Sequence, residues 1–208
     1  MPRDGTKTKT RILDETTKLV LQNGFAGTTI DHILERTSLT KGAFFYHFKS
    51  KSHLAHELMQ HFANDDARAL EISLEYANAN SKTARGALMS LADWFVNEFS
   101  GLESPYPGCL YASYIYEPEQ FTQEVKDMVR DAILMWREAL SDLIRKTAEE
   151  SPPVIEVNHD ALADMLTVIL EGAFIVSKAL NEAGHTADQL KEYRKYLELI
   201  FPAPEISN

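Results

Sequence analysis

The chain has 208 residues, 44% hydrophobic and 25% charged, enough for one or two domains around a substantial core. No apolar run approaches the ~20 residues of a membrane span, and the opening MPRDGTKTKT carries no apolar signal segment. The single cysteine, Cys109, excludes an internal disulfide framework and a multi-cysteine zinc site, so a cytoplasmic protein with no membrane partner is expected. The net charge of −10 is unevenly spread. Residues 1–55 hold nine Lys/Arg against five Asp/Glu, a net +4, which leaves twelve against twenty-six, a net −14, for the rest. A basic head on an acidic body puts any phosphate-binding surface at the N-terminal end.

Thr6 to Asn23 is predicted as a helix with Ile12, Thr16, Leu19 and Val20 on one face; Gly24 ends it and Phe25 folds back on Val20. Lys7, Lys9 and Arg11 form either a loose basic tail or a DNA-contacting arm. Thr28 or Thr29 caps a short helix whose apolar face is Ile30, Ile33 and Leu34. Thr37, Ser38 and Leu39 make a tight turn, and Thr40 caps a second short helix starting Lys41-Gly42-Ala43. Two short helices so joined make a helix-turn-helix, the second helix being the one that enters the DNA major groove. Gly42 and Ala43 suit that task because bulk at the leading end would hold the backbone off the groove. Phe44, Phe45, Tyr46 and Phe48 follow, too many aromatics for a short helix to bury.

Ser50 or Ser52 opens a fourth helix to about Ala79, with Leu54, Leu58, Phe62 and Ala69 inward. His53, His56, Glu57 and His61 stand at metal-capable spacing on it, but a solvated face is the simpler reading and no metal is assigned. Thr83–Ser100 is amphipathic, 101–108 is a Pro/Gly loop, and Cys109–Tyr116 is a short aromatic helix. A long helix is predicted for Glu119–Glu150 and another, capped by Asn158 and stopped by Gly184, for 158–183. The latter is apolar on most sides, so it must be covered from more than one direction. Thr186-x-x-Gln189 is a capping box for a last helix ended by Pro202 and Pro204. No strand-like alternation occurs, and the predicted class is all-α.

The run Lys41-Gly42-Ala43-Phe44-Phe45-Tyr46-His47-Phe48, then Lys49-Ser50-Lys51, resembles the recognition helix and following helix of the tetracycline-repressor (TetR) family. Gly24-Phe25-x-x-Thr28-Thr29-x-x-x-Ile33 is similar upstream. One departure is Phe45, where the family usually has a phosphate-touching Tyr; either Tyr46 next door substitutes or the contact is absent. The resemblance implies a three-helix DNA-binding domain, residues 1–50, and a larger helical ligand-binding and dimerisation domain, residues 51–208. It implies a homodimer through the last two long helices, a palindromic operator in double-stranded DNA, and a regulator, expected to be a repressor, released by a small-molecule effector. No cofactor or catalytic residue is implied. Thr40, Lys41, Gly42 and Ala43 are expected near base edges, and Thr29, Tyr46, His47 and Lys51 at the backbone, with Phe45 also in the DNA-facing set; Phe44 and Phe48 are expected in the core.

Trp94, Phe99, Tyr111, Tyr114, Trp136 and Phe174 are candidates to line a ligand pocket, although aromatics at helical spacing also serve as plain core. Between Arg85 and Lys126 stand six acids and no Lys, Arg or His, which suits either a cationic ligand or a solvated face. Cys109 joins the ligand set. Pro107-Gly108-Cys109-Leu110 resembles a Gly-Cys-Leu segment of TetR-like regulators that respond to electrophiles. A helix start favours a thiolate, while surrounding acids and burial oppose it, so a thiol sensor and a passive cysteine both stand. A helical protein-interaction module without DNA binding is the remaining alternative.

Overall fold

The computed structural model describes residues 5–203; Met1–Asp4 and residues 204–208, among them Pro204, which is expected with Pro202 after the last helix, lie outside them. The described residues are helical and contain no strand: α1 Gly5–Gly27, α2 Ile30–Thr37, α3 Lys41–His47, α4 Lys51–Ala79, α5 Ala84–Glu98, α6 Leu110–Tyr116, a 3₁₀ turn Pro118–Gln120, α7 Gln123–Glu150, α8 His159–Leu180 and α9 His185–Ile200. They form two compact units. One comprises residues 1–66 with 107–132, the other 67–106 with 133–208. The expected division at residue 50 lies at the start of α4, whereas compact packing adds α6 and the first turns of α7 to the N-terminal helices.

In the first unit α1 packs on α2 and α6. Its core is apolar at helical spacing: Ile12, Ile33, Phe44, Phe48, Leu54 and Leu58 are all at most 1% exposed. Gly24 adopts φ 73°, ψ 167°, a left-handed backbone that a side chain would strain, and it breaks α1 where the sequence predicts an end. A further turn follows before Thr29 caps α2, so α1 extends past the predicted Asn23.

In the second unit α5 and α8 each pack on α9. Thr83 caps α5 and Asn158 caps α8, each by accepting a backbone N–H three residues on. Three expectations need correction. The long helix does not start at Glu119: Phe121 turns extended after the 3₁₀ turn, and α7 starts at Gln123. α8 ends at Leu180 rather than Ala183, because Asn181 takes the left-handed conformation and its N–H closes on the Lys178 and Ser177 carbonyls. That early stop moves α9 forward to His185. Thr186 is therefore inside the helix, not its cap; its hydroxyl is fully buried without a hydrogen-bond partner, and Gly184 holds the cap position with no side-chain bond.

Candidate nucleic-acid interface

Each short helix of the N-terminal pair is fixed at its start by a threonine. Thr29 Oγ1 accepts from the His32 N–H and Thr40 Oγ1 from the Ala43 N–H, both at 3.2 Å. Each cap uses an oxygen lone pair, which leaves the O–H to donate outward. Between the helices Ser38 sits at φ 52°, and the N–H of Leu39 closes on Leu34 O at 3.2 Å. This turn directs α3 outward. Phe44 and Phe48, both 0% exposed, nail its inner face to the core. Its outer face carries Thr40, Lys41, Gly42, Phe45 and Tyr46, with Ala43 and His47 half-buried at its sides. Tyr46 is 82% exposed; Phe45 is 40% exposed and meets Phe44 edge-on at 5.4 Å. A Cβ on Gly42 would meet nothing within 4 Å, so the packing of the chain does not require a glycine there. Glycine within a helix costs about 1 kcal/mol relative to alanine.

Much of the basic charge of the head is used internally. Arg11 Nη2 donates to Thr37 O at 2.8 Å, at the end of α2, and Lys9 pairs with Glu57 at 2.6 Å. Lys18 and Arg36 share Glu15 and hold its carboxyl below the usual carboxylate range. Lys51 also turns inward: its Nζ donates to Phe25 O at 2.7 Å and sits 4.6 Å over the Phe25 ring. Burial pushes this ammonium below the usual lysine range, opposed by the charge of Glu117. Lys41 and Lys49 remain exposed beside the outer face of α3.

The histidines of α4 face carboxylates separately. His56 meets Glu124 at 3.1 Å, His61 meets Asp14 at 3.1 Å, and His53 lies 3.4 Å from Glu57. Among the described residues no group of three His, Cys, Asp or Glu is arranged to hold a metal ion.

The seven residues expected at a ligand divide between the two units. Tyr111 and Tyr114 are buried in the first, where their hydroxyls donate to Asp66 at 3.0 Å and to Ala55 O at 2.9 Å; burial pushes both phenols above the usual range. Cys109, half-buried, holds the N-cap position of α6 without a side-chain capping bond. In the second unit Trp94 and Trp136 flank Phe95, while Phe99 and Phe174 gather under Tyr106, whose ring lies 4.7 Å from that of Phe174. Open grooves of about 500 and 620 Å³ along α7 are lined by other residues. Of the six acids between Arg85 and Lys126, Asp93 pairs with Arg194, and Glu117 and Glu124 are engaged within the first unit. Sequence reasoning sees Glu117 only as one of that acidic group, because its partners lie about ninety residues away.

Comparison with known proteins gives one answer. The profile of bacterial regulatory proteins of the tetR family matches residues 12–58, and that of the tetracyclin repressor-like C-terminal domain matches residues 88–192. The HTH-type transcriptional repressor DhaR of Mycobacterium sp. (strain GP1) is 22% identical over 173 residues, 83% of each chain. The biofilm operon icaADBC negative transcriptional regulator IcaR of Staphylococcus aureus (strain Newman) is 20% identical over 190 residues, 89% of this chain and 92% of its own. A TetR-family regulator from Agrobacterium tumefaciens superposes with a TM-score of 0.76 at 16% identity, covering 93% of this chain and 98% of the other.

Proposed function

We propose a ligand-released repressor mechanism for this chain, which belongs to the TetR family of DNA-binding transcriptional regulators. α3 enters the major groove with Thr40, Lys41, Gly42 and Ala43 near base edges. Thr29, Tyr46 and His47 lie along the backbone, giving affinity and register, with the Phe45 ring exposed beside them. The observation that carries this reading is the outer face of α3: an exposed, capped helix start whose glycine is not required by any contact within the chain. Such a residue makes sense where another surface must approach the backbone.

The functional species is a homodimer. Val168, Ile175 and Leu180 on α8 and Leu199 on α9 are more than half exposed on the single chain, and a second copy would cover them. Two recognition helices on one two-fold axis read half-sites about 34 Å apart, so the operator is a palindrome. The effector is a small molecule held among the aromatics of the second unit, with Trp94, Phe99, Trp136 and Phe174 as its candidate walls. It releases DNA by binding the DNA-incompetent state more tightly; equal affinity for both states would shift nothing. The protein acts in the cytoplasm, where the genome is, and performs no catalysis. A second reading, electrophile sensing at Cys109, is favoured by that thiol being only half-buried at the head of α6.

The test is footprinting of the full-length protein on duplexes it selects from a random pool. Two protected major grooves one helical turn apart, with symmetric sequence, are expected. A single asymmetric footprint, or selection of no sequence at all, contradicts the mechanism.

A further inference from the structure

The break at Gly24 starts a new helical turn, whose first N–H groups lack the usual helical acceptors. One carboxylate takes two of them. Glu117 Oε1 accepts from the Phe25 N–H and Oε2 from the Ala26 N–H, each at 2.7 Å. The approach is close enough that a Cβ on Gly24 would lie 2.6 Å from Glu117 Oε1. On the carbonyl side, Lys51 Nζ donates to Phe25 O and covers the ring. That ring packs on Phe121 at 4.8 Å and Tyr114 at 5.9 Å. Residue 25 is thus held by its N–H, its carbonyl and its side chain. Thr28 Oγ1 donates back to Gly24 O at 2.8 Å, and the next residue, Thr29, caps α2.

We propose that Glu117 is a positioning residue for DNA recognition. Holding the 25–26 turn sets where α2 starts, and through the tight 38–39 turn it sets the angle at which α3 meets the groove. The inference rests on α3 being the recognition helix. Glu117 belongs to the segment matched by the C-terminal profile, not to residues 12–58, so the DNA-binding head is completed from outside its own family segment. An ionised carboxylate suits the task because both its oxygens accept; an amide offers one acceptor, and its NH₂ would face a donor.

The experiment compares Glu117→Gln and Glu117→Ala with wild type, full length, on a duplex selected by the wild-type protein and on a random duplex. Affinity for the selected duplex should fall roughly tenfold or more, the loss of a charge-assisted bond expressed as binding. Random-duplex affinity should hold, because the exposed lysines remain. Amide exchange at Phe25 and Ala26 should rise in the variants while the α8 and α9 amides stay protected. Folded variants with an unchanged selected-to-random ratio overturn the proposal. Lys41→Ala serves as control: if it too leaves binding intact, the reading of α3 fails; if it weakens binding while Glu117→Gln does not, only the role of Glu117 fails. Should both variants fail to fold, exchange in the wild type decides. Slow exchange at Phe25 and Ala26, slowed further by the selected duplex, supports the proposal. Exchange as fast as in an exposed loop, unchanged by DNA, overturns it.

Discussion

Two lysines that look alike in the sequence should fail in opposite ways. Lys51 donates to Phe25 O at 2.7 Å and lies over the Phe25 ring, whereas Lys41 is exposed on the outer face of α3. For Lys51→Ala, a charge-assisted hydrogen bond worth about 1.5–3 kcal/mol is lost, with a cation–π contact of roughly 0.5–1 kcal/mol. Partial desolvation of the ammonium, visible in its lowered pKa, offsets part of this, so we expect a net loss of about 1–2 kcal/mol. In a chain of this size that lowers the melting temperature by roughly 3–6 °C. Lys41→Ala should leave the melting temperature within error, weaken DNA binding and make its salt dependence shallower, since an exposed cation facing the DNA is lost. Thermal unfolding by circular dichroism and anisotropy titrations across a salt series measure the two quantities. A Lys51→Ala protein with wild-type melting temperature and a shallower salt slope would show that the side chain lies on phosphate and that the inward contacts are worth nothing.

Val168→Glu and Ile175→Glu place charge on the exposed apolar face of α8 and should give folded monomers in sedimentation; unchanged dimers, or a wild-type monomer at micromolar concentration, remove that interface. Leu197, 1% exposed within its own chain, should instead unfold the protein when charged. Lys9 at 2.6 Å holds the Glu57 carboxyl below the usual range. Its stabilisation is therefore present above the ordinary glutamate pKa and lost as pH falls through the depressed folded value. Glu57→Gln should remove about 0.5–1 kcal/mol from the acid limb of a stability–pH curve, as for a partly exposed pair; an acid limb identical to wild type refutes the pairing. If Cys109 senses electrophiles, an alkylating agent should release DNA from wild type and not from Cys109→Ser; equal release in both leaves non-covalent induction.

What the sequence makes legible here is local chemistry. Thr40 and Asn158, and Thr29 as one of two candidates with Thr28, are readable as caps because a hydroxyl or amide and the N–H it takes lie three residues apart; Thr83 caps α5 in the same way, where the sequence shows only an amphipathic stretch. Of the four aromatics at 44–48 the residues alone say only that some must be core; Phe44 and Phe48, expected there with the family resemblance, are fully buried. The misreadings arise where two local signals compete. Asn181 and Gly184 both offer a helix ending, and Asn181 prevails because Ser177, fully buried, donates its hydroxyl to Glu182 O and folds the chain back at that point. The Thr186 capping box then fails as a consequence of the shift. Long-range choices leave no such trace. Nothing near Lys51 says that its ammonium will turn toward residue 25 rather than toward DNA. Glu117 reads as a solvated acid until the fold brings it to a turn 92 positions earlier.

That separation has a bearing on how the protein is made. A ribosome adding about 5–20 residues per second finishes the helix-turn-helix at His47 roughly 3–14 s before it reaches Glu117. Through that interval the Phe25 ring has neither Tyr114 nor Phe121 to cover it, and the 25–26 amides have only water. A nascent chain therefore carries the proposed recognition helix well before it carries Glu117, the residue proposed to set its angle. Premature release yields a fragment with a sticky aromatic and an unfixed reading head, an obvious substrate for chaperones and proteases.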